Sequence, residues 1–360
     1  MRIARKVRAL APYVHGEQPR GKGIIKINTN EAAYPPSAKV MAQLKNFDPE
    51  RLRLYSNSSC ADLRNALAKL YGAQPERIFV GNGSDEILSL MTDAFVEDDE
   101  AIGTLDPSYS LYKVLADIRG VKWVGGAWED LRRKTGDFKA KVSLALITSP
   151  NNPTGRQIPP KEIAAFARRF PGVVVVDEAY VEYASSNCMS YAISPRNRNL
   201  IVMRTFSKAY SLAGLRVGYC IGPQDLIDAL YKIKDSYNVD AIAQTLALAA
   251  VKDQAGLKAT VRKVLKTRAW FTSELEKRGW TVVPSEANFI FAKPPAGGSG
   301  IRTACQKAKH LFEALRERKI YIRYFSAPKT ADHVRISIGT DAQMKRVLKE
   351  IDAILFQKGN

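Results

Sequence analysis

Short apolar runs alternate with helix-patterned stretches from about residue 60 onward, and each run gives way to polar residues. "RIFVGNGSDEILSLMTDAF" reads as a strand, a glycine turn and a helix. "VSLALITSPNNPTG" is a buried strand that runs into a Pro/Asn/Gly loop, with helical "KEIAAFARRF" after it. "GVVVVDEAY" and "LIVMRTFSK" are two further strands. Strands that are apolar throughout need cover on both faces, so the pattern predicts a parallel or mostly parallel sheet between helices. In such sheets ligands bind outside the carboxyl ends of the strands. Ser84, Asn152, Asp177 and Lys208 each lie just after one of these strand patterns.

At 360 residues the chain exceeds a typical single domain more than twofold. Residues 1–28 form a polar arm punctuated by proline and glycine, expected to join the smaller domain. Residues 29–242 carry the alternating pattern, including "CADLRNALAKLYG", a helix that should end at Gly72. From 243 to 360 the rhythm changes to long helical stretches with isolated strands such as "NFIFAK", "KIYIRYF" and "HVRISIG". The expected fold is α/β, a large domain with a mostly parallel sheet between helices, plus a smaller α+β domain. A Gly/Pro segment at 294–300, "PPAGGSG", interrupts the latter.

With 55 Lys and Arg against 36 Asp and Glu, the formal net charge is +19. These charges are dispersed, and helix-turn-helix, zinc-finger and RNP-like patterns are missing, which argues against a nucleic-acid partner and leaves anionic small molecules. The four cysteines (Cys60, Cys188, Cys220 and Cys305) are scattered without a CxxC pair, as suits a reducing, cytoplasmic setting. His15, His310 and His333 lack ligand spacing, so no metal is expected. The basic N-terminus has no apolar segment behind it that would make a signal peptide, and no apolar run spans a bilayer.

Taken singly, the polar stretches have ordinary explanations. "GNGSDE" (81–86) is either a capped helix, with Ser84 as N-cap, or an anion site made from the free N–H groups of a helix start. In "SPNNPTG" (149–155) turn chemistry accounts for Pro153 and Gly155, but two adjacent amides exceed what a turn needs. Asp177 follows four valines, where a carboxylate is either a helix cap or the counter-ion of a cationic partner, and Tyr180 lies three residues on.

Lys208 belongs to "TFSKAYSLAGLR" (205–216). A nucleophilic amine must spend part of its time neutral, and burial beside a second cation lowers its pKa. The apolar strand before it and Arg216 after it supply both conditions, while Thr205 and Ser207 add hydroxyl donors. Together the residues make an inventory: an amine for an aldehyde (Lys208), an acid for a ring nitrogen (Asp177), donors for a ring oxygen (Asn152, Tyr180) and an anion cradle (Gly83, Ser84, Asp85, Ser207, Arg216). That inventory matches pyridoxal 5'-phosphate.

The ordered set "YVHGEQP", "GNGSDEIL", "DPSYSLY", "SPNNPTG", "VVDEAY", "RTFSKAYSLAGLRVGY", "SEANFIF" and "VRISIGT" runs through nearly the whole chain. It resembles the fold-type I pyridoxal-phosphate aminotransferases, and among them the histidinol-phosphate aminotransferase group. The resemblance implies that Lys208 is the catalytic amine, with Asp177 holding the ring nitrogen protonated and Tyr180 and Asn152 on the ring oxygen. It implies that Tyr109 stacks on the ring. It also implies phosphate binding by Gly83, Ser84, Asp85, Thr205, Ser207 and Arg216. Tyr55 would reach the neighbouring subunit's phosphate, which implies a homodimer with shared sites. Arg335 would hold the α-carboxylate of glutamate and Arg323 the substrate phosphate, with Asn30 and Tyr34 near the substrate side chain. The implied reaction is transamination between histidinol phosphate and 2-oxoglutarate in histidine biosynthesis.

The sequence departs from the group's pattern at "NEAAYPP" (30–36), where Asn-Glu-Asn-Pro-Tyr-Gly is usual, and at "YSN" (55–57) in place of a Tyr-Pro pair. An aromatic-amino-acid aminotransferase and a threonine-phosphate decarboxylase of the same fold share many of these motifs. The high charge alone would suggest a basic nucleic-acid-binding protein.

Overall fold

The computed structural model describes residues 2, 3, 5–8, 10, 15–133, 141–295 and 303–355. Tyr13 and Val14 of "YVHGEQP" and most of the 294–300 segment lie outside them.

The strands, in chain order, are β1 (Ile25–Lys26), β2 (Ile78–Gly81), β3 (Ala101–Leu105), β4 (Lys122–Gly126), β5 (Val142–Thr148), β6 (Val173–Asp177) and β7 (Leu200–Thr205). They continue as β8 (Gly218–Ile221), β9 (Thr281–Val283), β10 (Phe289–Lys293), β11 (Ile320–Tyr321), β12 (Arg323–Tyr324) and β13 (Val334–Ser337). Seven of them form one sheet in the order β2-β8-β7-β6-β5-β3-β4. In this sheet β8 alone runs opposite to the other six strands. Val174, Val175 and Val176 are fully buried, and Leu144, Leu146, Ile201 and Val202 likewise, because helices cover both faces as the continuous apolar runs require. Gly218 starts β8 directly beneath the helix Gly83–Phe95, where a Cβ would come within 2.7 Å of the Ser84 nitrogen. No other residue permits so close an approach.

The helix start differs from the expectation. Asn82 is the N-cap and Gly83 the first helical residue, so Ser84 lies inside the first turn with its N–H directed outward along the axis. The helix Ala61–Tyr71 ends at Gly72, whose φ of 66° closes the turn as expected.

A second sheet, ordered β12-β13-β10-β9, is antiparallel throughout. The arm joins this part of the molecule, since β1 pairs in parallel with β11 and Ile25 and Ile27 are buried in its core. The helix Ala241–Lys252 does not follow the change of rhythm at 243. Ala243, Leu246, Ala247 and Ala250 pack in the same cluster as Leu63 and Leu67, beside the seven-stranded sheet. An apolar helical stripe shows that a core is near but not which one.

Candidate active site

A cavity of roughly 220 Å³ opens at the carboxyl ends of β2, β3, β5, β6 and β7, and the arm and the second sheet close its other side. Ser84, Asp85, Tyr109, Asn152, Asp177, Tyr180, Thr205, Ser207, Lys208 and Arg216 line it, as do Asn30, Arg323 and Arg335 from the opposite side.

Lys208 leaves the turn after β7 and is enclosed. Its Nζ donates to the carbonyl of Thr29 at 3.2 Å and lies 5.8 Å from the centroid of the Tyr180 ring. Burial, then the nearby Arg335 guanidinium, lowers its pKa to about 8, with Arg216 pushing the same way and Glu31 and Asp85 opposing. Asp177 ends β6, 4% exposed. Burial raises its pKa to about 6, against the hydroxyl of Tyr112, which donates to Oδ2 at 2.7 Å, and the Ala179 N–H, which donates to Oδ1 at 3.0 Å. Tyr112 is itself fully buried and 2.6 Å from the Thr148 hydroxyl. It was not singled out from the sequence, although it closes the motif "DPSYSLY". Its aromatic spacing on the helix Leu111–Arg119 reads equally well as core packing.

Arg216 meets the start of the helix Gly83–Phe95. Its Nη2 lies 3.1 Å from Asp85 Oδ2 and its Nη1 donates to Ser207 Oγ at 3.3 Å, while Thr205 Oγ1 donates to the same Ser207 oxygen at 3.0 Å. Gly83 has φ 81°, and a Cβ there would come within 2.6 Å of the Arg216 guanidinium. The absent side chain leaves a hollow between helix N–H groups, a hydroxyl and a guanidinium, a concavity suited to an anion.

Arg335, 6% exposed, donates to Asn152 Oδ1 and to the Asn28 carbonyl, each at 2.6 Å. With its oxygen committed, Asn152 has its amide N–H groups left for a ligand acceptor. Arg323 faces Arg335 in register across β12 and β13. Tyr109 packs edge-on against Tyr112, with ring centroids 5.6 Å apart.

Two expected residues lie elsewhere. Tyr34 is not among the cavity residues and packs beneath the Lys263 ammonium, 5.2 Å from its ring centroid. Tyr55 is 84% exposed and stacks on Tyr237 at 4.3 Å, away from this chain's own cavity. Asn30 lines the cavity, but its amide is engaged by Tyr180 and Ser337.

Residues 22–351 match the family described as aminotransferase class I and II. The chain belongs to that family. It is 40% identical over 354 residues to histidinol-phosphate aminotransferase 2 of Rhizobium meliloti (strain 1021), covering 97% of this chain and 98% of that one. Histidinol-phosphate aminotransferase of Geobacter sp. (strain M21) is also 40% identical, over 351 residues and 97% of each chain. The crystal structure of histidinol-phosphate aminotransferase from Sinorhizobium meliloti in complex with pyridoxal-5'-phosphate superposes with a TM-score of 0.86 at 26% identity, over 98% of this chain and 97% of that chain. L-threonine-O-3-phosphate decarboxylase from Porphyromonas gingivalis shares the fold, with a TM-score of 0.77 at 22% identity over 92% and 99% of the two chains.

The donor set of this aminotransferase fits pyridoxal phosphate. An enclosed amine with a lowered pKa, a buried carboxylate with no salt bridge among the described residues, the Tyr180 hydroxyl and Asn152 amide, and the glycine hollow at Arg216 all face one cavity. The Lys208 amine and the Asp177 carboxylate each bear a cost of burial that a ligand of complementary charge would offset.

Proposed function

We propose that this family member transaminates between histidinol phosphate and 2-oxoglutarate in histidine biosynthesis, with pyridoxal phosphate as cofactor. The observation that carries the substrate assignment is the register pair Arg323 and Arg335. Two guanidinium groups directly opposite one another repel, and both line the cavity that holds Lys208. A guanidinium fork accepts phosphate or carboxylate alike, so the pair suits both the phosphate of histidinol phosphate and the carboxylates of glutamate. The relatives at 40% identity carry the same name.

The cofactor, when bound, supplies an aldehyde that receives the amino group and a ring that draws electrons from the neighbouring carbon. Lys208 serves as the amine and moves a proton to and from the substrate α-carbon. At a pKa of about 8 roughly one tenth of it is neutral at pH 7. Asp177 holds a proton at the ring nitrogen, and Tyr112 holds Asp177. Asn152 and Tyr180 donate to the ring oxygen, and Tyr109 covers the ring face. Ser84 and Gly83 N–H groups, Ser207 and Arg216 bind the phosphate, with Thr205 orienting Ser207 and Asp85 orienting Arg216.

We further read the enzyme as a cytoplasmic homodimer. The exposed stack of Tyr55 and Tyr237, beside exposed Leu52 and Leu54, is an apolar surface fitted to a second copy. Its cysteines are free, and no helix among the described residues is long and apolar enough to cross a membrane.

Adding pyridoxal phosphate to the protein should produce a visible absorbance band that Lys208→Ala does not form. Glutamate-dependent amination of imidazole acetol phosphate should exceed that of phenylpyruvate, and threonine phosphate should release no carbon dioxide. A protein that stays colourless, or one that prefers phenylpyruvate, overturns the proposal.

A further inference from the structure

Asn30 lies where the arm crosses the cavity, 1% exposed and in the left-handed region with φ 55°. Its backbone N–H donates to Ser337 Oγ at 3.0 Å, and that hydroxyl donates to Asn30 Oδ1 at 2.8 Å. Its carbonyl accepts from Asn288 Nδ2 at 3.0 Å. Its Nδ2 donates to the Tyr180 hydroxyl oxygen at 3.0 Å.

These contacts decide which way the amide faces. Were it reversed, Ser337 Oγ would meet two N–H groups and have no acceptor there for its own proton. With the amide as found, Tyr180 receives a hydrogen bond from Asn30 and does not spend its own proton on that contact. A phenol that accepts a hydrogen bond is a stronger donor. Ser337 lies two residues after Arg335 on β13, so both point from the same face of that strand. One strand of the second sheet therefore reaches both ring-oxygen donors, Asn152 through Arg335 and Tyr180 through Asn30.

We propose that Asn30 is a positioning residue, which directs the Tyr180 proton toward the cofactor's ring oxygen and ties that donor to the placement of β13. The inference rests on the cofactor reading above. It gives Asn30 a part distinct from contact with the substrate side chain.

The test is the pH midpoint of the visible absorbance of the cofactor-loaded enzyme. Negative charge on the ring oxygen is greatest once the nitrogen joined to Lys208 has lost its proton, so a weaker donor at that oxygen raises the midpoint. Lys208, Arg335, Arg216, Glu31, Asp85 and Asp177 also set it, and the variants leave all of them in place. Asn30→Gly keeps the left-handed backbone and removes the amide. It should raise the midpoint by about half to one pH unit, the size of one neutral hydrogen bond. Ser337→Ala, which keeps the Asn30 amide but removes the hydroxyl that holds its Oδ1 and its backbone N–H, should raise it by less. In a Tyr180→Phe background Asn30→Gly should leave the midpoint unmoved, since the two act in series. A midpoint unchanged in both single variants, or an Asn30→Gly shift of equal size with and without Tyr180, overturns the inference. A wild-type protein that forms no visible band at all instead overturns the cofactor reading on which it stands.

Discussion

Arg335 Nη1 donates to Asn152 Oδ1 at 2.6 Å across 183 residues of sequence, joining the second sheet to the end of β5. The bond orients the Asn152 amide, and the same guanidinium acts on the pKa of Lys208. Arg335→Lys keeps the charge but loses the fork, and with it one of the two paired contacts to Asn152 and Asn28. Loss of a charge-assisted contact predicts a fall in kcat/KM for glutamate of about 10- to 100-fold. Steady-state kinetics with glutamate check this, and a variant within twofold of wild type would contradict it.

Asp177 makes the cofactor-free protein sensitive to pH. Its pKa of about 6 in the fold lies above the ordinary carboxylate value, so the folded chain holds this proton more tightly than the unfolded chain. The resulting stabilisation is fully present below about pH 4 and is lost as the pH rises through 6. Asp177→Asn should therefore stabilise the cofactor-free protein at pH 7.5 by up to about 3 kcal/mol, with no gain at pH 4. Urea unfolding at the two pH values measures the difference, and a variant less stable than wild type at pH 7.5 refutes it.

Glu178 and Arg204 clamp the strands that carry the site. Arg204 Nε donates to Glu178 Oε2 at 2.9 Å and Nη1 to the Tyr71 hydroxyl at 3.0 Å, with both charged side chains buried. Glu178 follows Asp177, and Arg204 precedes Thr205, so the pair fixes the ends of β6 and β7 relative to each other. Glu178→Ala leaves a buried guanidinium without its counter-ion and should cost about 3–5 kcal/mol in chemical denaturation. Replacing both residues with apolar ones of similar size should cost less than the single change.

Gly83→Ala places a methyl group in the hollow beside Arg216, at a φ that L residues adopt only under strain. The displaced guanidinium should weaken pyridoxal phosphate binding by about 10-fold or more, the equivalent of 1–2 kcal/mol. Binding of pyridoxal without the phosphate should change far less. Fluorescence titration of the cofactor-free protein with both compounds separates a phosphate-specific loss from a general one.

Much of this site is legible in the sequence because its signals are local. Apolar runs fix which residues become central strands, and the residue that ends each run then lies at the carboxyl edge of the sheet. Asp177, Lys208 and Asn152 stand out in that way, and Gly83 and Arg216 by the turn chemistry and charge around them. The antiparallel direction of β8, the core to which the helix Ala241–Lys252 belongs, and the placement of Tyr112, Asn30 and Ser337 depend on residues tens to hundreds of positions apart. Periodicity reports only that a face will be buried; what buries it is set when the sheets close on one another. By itself the sequence therefore determined which polar residues stand at the strand ends and line the cavity. The tertiary structure decided which of them are held, by what, and in which direction their pKa values move, because hydrogen bonds and desolvation act across space rather than along the chain.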